Sequence, residues 1–318
     1  MKTALFPESE ESKSLAAEYG YDSWLVRRFM RYVPDIHDFL DAMERPPARY
    51  LRVNELKISS GELFTRLESK GFELESTTLP EVFLVKKSPM SVGATTEYML
   101  GQYYVQDLSS CLAVDALDVK QDQTILDVAA APGGKTTFIA QRMKNSGTVI
   151  ALEPNEIRAR SMAFNLARCG VSNTAVFQLD GREAEKLGTK FDRVLLDAPC
   201  SCEGVIARDA TRKTSHLPDD VEYCSNRQEK LIESAARLVK PGGVLVYSTC
   251  SFAPEENEMV VDLLLQSGHV SVEPILCGSE GLTNFDDHEF SGELKNSRRL
   301  YPHLHNTTGF FIAKLRIN

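Results

Sequence analysis

Apolar positions recur with helical spacing from about Ser14 to Met43, and Pro46-Pro47 ends that stretch. Tyr50 to Asn54 then reads as a strand. Leu63, Phe64 and Leu67 share one face of a helix from Ser60 to Lys70, which Gly71 closes. Phe72 to Ser76 and Val82 to Lys87 alternate as two further strands. This order predicts a small α+β module within residues 1–105.

From there the pattern becomes a regular β–α alternation. Strands are predicted at Thr124–Val128, Thr148–Leu152, Thr174–Leu179, Arg193–Leu196 and Val244–Ser248, with helices at Thr136–Met143 and Asn155–Arg168. A further helix carries Leu231, Ile232, Ala235, Leu238 and Val239 on one side, and Lys240-Pro241-Gly242-Gly243 is expected to stop it. Glu255, Glu256 and Glu258 open the next helix, Pro254 to Gln266, where acids suit the positive end. Val270–Ile275 and Phe310–Leu315 complete the set. Such alternation predicts a doubly wound α/β sheet over residues 106–318.

Composition narrows the class. With 318 residues, 42% hydrophobic and 25% charged, the chain suits one large domain and a smaller one. No apolar run reaches the roughly 18 residues of a membrane span, and Met1 to Ser14 is acidic rather than leader-like. Seven cysteines without a Cys-x-x-Cys pair suggest a reducing, cytoplasmic setting and no metal centre. A net charge of −9 disfavours nonspecific polyanion binding, yet Arg27, Arg28, Arg31, Arg45, Arg49 and Arg52 cluster, as do Lys295, Arg298 and Arg299. The alternative reading is a solvated surface, interleaved with Asp35, Asp38, Asp41 and Glu44.

The chemistry collects at strand ends, where open α/β sheets gather functional side chains. Ala129, Ala130, Ala131, Pro132, Gly133, Gly134 and Lys135 form a small-residue turn that lets backbone approach a ligand. Ala129 breaks the phosphate-loop pattern, and no Gly-x-Gly-x-x-Gly occurs. Glu153 ends the second strand, where a carboxylate can hold ribose hydroxyls, and Asp180 follows the third, within reach of an adenine amino group. Asp197-Ala198-Pro199-Cys200 and Ser248-Thr249-Cys250 close two later strands. Two thiols there suggest a nucleophile and a proton acceptor facing one electrophile. Cys111, Cys169, Cys224 and Cys277 read as packing, Cys202 as a loop neighbour, and His303 and His305 as structural or substrate-facing.

Ala-Ala-Pro-Gly-Gly-Lys-Thr, Asp-Ala-Pro-Cys-Ser and Ser-Thr-Cys-Ser, in this order, resemble the RNA cytosine-C5 methyltransferases of the Nop/Sun family. Gly101 to Asp107, Pro302-His303 and Gly309-Phe310-Phe311 match as well. The resemblance covers residues from about 50 onward. It implies a Rossmann-like S-adenosylmethionine-dependent methyltransferase with a mixed seven-stranded sheet, plus an N-terminal RNA-recognition-like domain.

It further implies that S-adenosyl-L-methionine lies against Ala129 to Lys135, Glu153, Arg158, Asp180 and Asp197. Cys250 would add to cytosine C6, Cys200 would assist loss of the C5 proton, and Asp197 would hold the base edge near N3. Lys135 would support the cofactor loop or Asp197. Glu153 departs from the aspartate more usual in the family. DNA cytosine methyltransferases use a Pro-Cys thiol as nucleophile, which leaves Cys200 as the rival.

Tyr50, Phe64, Phe72 and Phe83 are expected in the core of the small domain, with Arg49 and Arg52 as phosphate contacts. The implied partner is RNA with a flipped or unpaired cytosine, tRNA ahead of rRNA because no long basic extension is seen. A monomer is expected. A noncatalytic RNA-binding assembly factor is the rival from another class.

Overall fold

In the computed structural model, which describes residues 2–318, the β–α alternation forms a mixed sheet. Its five parallel strands stand in the order Val239–Thr249, Phe191–Asp197, Thr124–Asp127, Thr148–Leu152, Thr174–Phe177. Phe310–Ile317 adds antiparallel to Val239–Thr249, and Val270–Glu273 and Arg298–Leu300 pair with its free edge. Ser279–Glu280 lies beyond Arg298–Leu300. Short edge strands thus widen the expected seven strands to nine.

Alternate residues of each strand enter different cores, as a pleated strand requires. Leu126, Val194, Leu196 and Tyr247 pack with Leu231, Ile232 and Val260 on one face. Ile125, Leu195, Val244 and Val246 pack with Leu112, Phe138 and Ile139 on the other. Helices on both faces make the sheet doubly wound.

Two readings of the sequence need correction. The helix ends at Arg237 and the strand already starts at Val239, so Lys240–Gly243 belongs to a bulged strand entry rather than a helix stop. A Cβ on Gly243 would meet Asp192 O at 2.9 Å, so the close backbone approach calls for glycine. Glu255, Glu256 and Glu258 do not serve the helix dipole from the surface. They are buried, in a single 3-10 turn and the start of helix Glu258–Leu265, and each holds a buried partner.

The first 105 residues serve two cores. Helices Glu10–Tyr19, Ser23–Tyr32 and Ile36–Met43 pack through Phe29 and Phe39 onto Phe252 and Tyr301 of the large domain. Residues 50–105 form an antiparallel sheet, in which Tyr103–Val105 joins three expected strands against helix Ser60–Ser69. Tyr50, Phe72 and Phe83 are buried and Phe64 is partly so, as expected. Tyr50 and Val82 continue into the core beneath helix Leu108–Ala116, which seats the small sheet beside the large domain.

Several clustered cations turn out to be structural. Arg52, expected to contact phosphate, is fully buried and donates to Gln106 Oε1 (2.6 Å), Gly134 O (2.7 Å) and Thr137 Oγ1 (2.9 Å). Arg28 forks onto Glu255 at 2.9 and 2.6 Å, and Arg299 onto Glu258. Arg45 and Arg49 remain exposed.

Candidate active site

Strand Thr124–Asp127 passes through Val128–Gly133 into helix Gly134–Arg142. Gly133 sits at φ 96°, and a Cβ there would meet Met162 Cγ at 3.1 Å, so the turn favours glycine twice over. The turn borders two cavities of about 330 and 200 Å³. The smaller is lined by Glu153, Arg158 and Asp180, the larger by Lys135, Arg208 and Phe310. Ala129, Ala131, Asp197 and Cys250 face both.

Asp197 is held on two sides. Lys135 Nζ donates to Oδ2 and Ser248 Oγ to Oδ1, each at 2.7 Å. Burial works against the Lys135 ammonium, but Asp197 outweighs it and keeps its pKa raised. Lys135 therefore serves Asp197 directly.

The two strand-end thiols meet, with Cys200 Sγ 3.1 Å from Cys250 Sγ. Cys202, read from sequence as a loop neighbour, brings its sulfur to 3.9 Å from Cys200. The three share their ionisation. Thiol donation from Cys200 and Cys250 pulls Cys202 down, and Cys200, bonded to both sulfurs and buried, is pushed up. Cys250 is also raised: the Cys200 bond lowers it, but the Cys202 bond and burial prevail.

Beneath them lies a support that the sequence reading did not find. Ser201 and Ser251, each next to a thiol, both donate to Glu256 Oε1, the Ser251 bond at 2.6 Å. Ser201 N and Gln228 Nε2 donate to Oε2 at 2.9 Å each. One buried carboxylate thus ties both cysteine loops together. Burial, with Glu203 nearby, pushes Glu256 up to about 7 against the pull of Ser201 and Ser251. The repeated Cys-Ser step is the signal in the sequence for this support, whereas position alone places Glu256 among the helix-end acids. Gly204 pins the same loop by donating to Cys250 O at 2.8 Å. A Cβ there would meet Gly309 O at 2.3 Å.

At the other end, buried Glu153 accepts from Asn155 N (2.9 Å) and pairs with Arg158 (3.2 Å), which also donates to Ala131 O (3.0 Å). Asp180 lines the same cavity, but its carboxylate already accepts from Arg182, whose bond lowers its pKa.

The family model for 16S rRNA methyltransferase RsmB/F matches residues 114–316, and its ferredoxin-like domain matches 21–92. The chain belongs to this RsmB/F methyltransferase family. A 28S rRNA (cytosine-C(5))-methyltransferase of Mus musculus is 42% identical over 97% of this chain and 40% of its own length. A tRNA (cytosine(49)-C(5))-methyltransferase of Pyrococcus abyssi is 39% identical over 92% of this chain and 95% of its own. A crystal structure of a methyltransferase homolog from Pyrococcus horikoshii superimposes with a TM-score of 0.90, at 40% identity, covering 98% of this chain and 100% of that one. The chain spans between 39% and 52% of the length of the first four curated relatives it matches.

The RsmB/F family uses S-adenosylmethionine, and the residues present fit it. Buried Asp127 Oδ1, in the wall of the larger cavity, has no hydrogen-bond partner, an acceptor suited to a ligand cation. Burial pushes Asp127 up to about 7. Ala129, Ala130, Ala131, Pro132 and Gly134 line the cavities while Gly133 is buried in the turn, and Glu153 offers a carboxylate at the adjoining strand end.

Proposed function

We propose that this chain is an S-adenosylmethionine-dependent RNA (cytosine-5-)-methyltransferase, with residues 1–105 positioning the RNA and 106–318 carrying the reaction. The observation that carries this reading is the 3.1 Å contact between Cys200 and Cys250 beside Asp197, where the two cavities meet. tRNA is the favoured substrate, because the Pyrococcus abyssi relative matched over 95% of its length is a tRNA enzyme; rRNA is the alternative. Seven free thiols support a cytoplasmic, reducing setting, and among the described residues no helix is long and apolar enough to cross a membrane.

Glu153 and Arg158, with the 129–135 turn and Asp180, would hold S-adenosylmethionine, and Asp127 would take its cationic end. Bound there, it supplies an electrophilic methyl group. Cytosine C5 is too weak a nucleophile to take that methyl unaided. Cys250, once its thiol proton has passed to solvent, forms a bond to C6 as thiolate, and the C5=C6 electrons become available at C5. Asp197, fixed by Lys135 and Ser248, holds the N3 edge of the adduct by a charge-assisted hydrogen bond. Once C5 carries the methyl group, Cys200 in its thiolate form accepts the C5 proton and passes it to solvent, the S–C6 bond breaks and Cys250 leaves as thiolate.

Labelled methyl transfer to RNA, with the product base identified, tests the activity. Cys250→Ala should abolish transfer and any covalent RNA adduct. Cys200→Ala should let the adduct accumulate, because attack survives and release fails. An adduct formed by Cys250→Ala would reverse the two roles.

A further inference from the structure

Cys202 has no part in that reaction, yet its placement is costly. Its backbone lies at φ 65°, ψ 33°, the left-handed region that costs an L-residue about 1–2 kcal/mol and that glycine adopts freely. A thiol at such a position invites a chemical reason. The sulfur is not turned to solvent: Cys202 Sγ donates to Cys200 O at 3.2 Å. The sulfurs of Cys200, Cys202 and Cys250 all lie within 4.8 Å of one another.

We propose that Cys200, Cys202 and Cys250 form a binding site for one soft divalent cation of the zinc–cadmium class, with a fourth position left for solvent. Tetrahedral zinc with sulfur at about 2.3 Å needs sulfurs about 3.8 Å apart. The pairs at 3.1 and 3.9 Å bracket that spacing, and the third pair lies within 4.8 Å, so side-chain adjustment without backbone rearrangement completes it. Two ligands come from one tight loop and the third from the neighbouring strand end, so no Cys-x-x-Cys spacing announces the site. Arg212 Nη1 donates to Ser201 O at 3.0 Å, which places a cation beside the loop to offset thiolate charge. Coordination releases the remaining thiol protons to solvent as sulfur–metal bonds form. Because Cys250 lends its electron pair to the ion, a loaded site cannot form the C6 bond of the reaction proposed above. The ion acts as a reversible block.

The binding test does not depend on methyl transfer. The full chain, kept reduced with a phosphine, is titrated with cadmium while thiolate-to-metal absorbance is followed, and zinc then competes for the site. One ion per chain should saturate the signal. Cys202→Gly suits the backbone and keeps the four distant cysteines as an internal control; Cys202→Ser keeps the size. Each should weaken cadmium binding by more than about 100-fold, beyond the loss typical of an outer-shell partner. Zinc loading should stop methyl transfer by the parent chain, and a chelator should restore it. Absence of a saturable one-ion signal overturns the proposal. So does unchanged affinity in both Cys202 variants, or in Cys250→Ala.

Discussion

The thiol end of the cleft stands on a buried polar support, whereas the Glu153 end is closed by exposed arginines. Glu256 is buried and accepts four hydrogen bonds from three residues, two of them direct neighbours of the thiols. Around it run the buried Arg28–Glu255 and Arg299–Glu258 forks. Glu153 and Asp180 instead pair with Arg158 and Arg182, whose side chains are 58% and 46% exposed. The contrast follows from what each end must do. In the proposed reaction, bond formation at one carbon tolerates little displacement of a sulfur, which suits thiols fixed before substrate arrives. A ligand pocket can exchange partners that are themselves half-exposed, such as Arg158 and Arg182, for ligand contacts, because solvent already screens their charge.

Measurements can break this contrast, and the largest effect belongs to the support. Arg28→Ala strands Glu255 in the interior and should cost about 3–5 kcal/mol in chemical denaturation. A loss under 1 kcal/mol would mean that the fork is dispensable. Glu256→Gln keeps the shape but turns an amide toward N–H and O–H donors. Methyl transfer should fall by about 100-fold, as for a displaced reacting group, with donor affinity unchanged. Weakened donor binding with normal turnover would instead place Glu256 with the other end.

Glu153→Gln should act in the opposite sense. Donor affinity should drop by about 10- to 100-fold, the value of a charged hydrogen bond, with turnover at saturating donor largely retained. Asp127 adds a pH test at the junction. Its folded pKa, about 7, lies above the 3.8 of a free aspartate. Its contribution is therefore intact below pH 3.8 and is lost as pH rises toward 7. Asp127→Asn should gain stability relative to the parent over that window, by at most about 1.4 kcal/mol per pH unit. A flat difference would show that Asp127 is already paired. The smallest effect is expected at exposed Arg49, where alanine should weaken RNA binding uniformly and lower the salt slope by about 1.

The strand-end motifs were legible because they are local. A turn of small residues, an acid after a β run and a thiol after Asp-Ala-Pro each declare themselves within a few positions, and apolar alternation orders them along one sheet edge. Charge was read less well. Arg28, Arg52 and Arg299 belong to sequence clusters that look like a nucleic-acid surface, yet each is buried on partners 227, 54 and 41 residues away. Nothing local separates a buried arginine from a solvated one, because its partner is chosen by tertiary packing.

The chain's own order of residues therefore settled the doubly wound class and pointed to the 129–135 turn and the two strand-end thiols as the candidate site. Three-dimensional packing alone decided that Glu256 would tie the thiol loops, that Lys135 would hold Asp197 and that a third sulfur would join the pair. Periodicity and motif spacing encode how a segment folds. The ionisation and reach of a buried side chain depend on residues that arrive from elsewhere in the chain, and on the water those residues exclude.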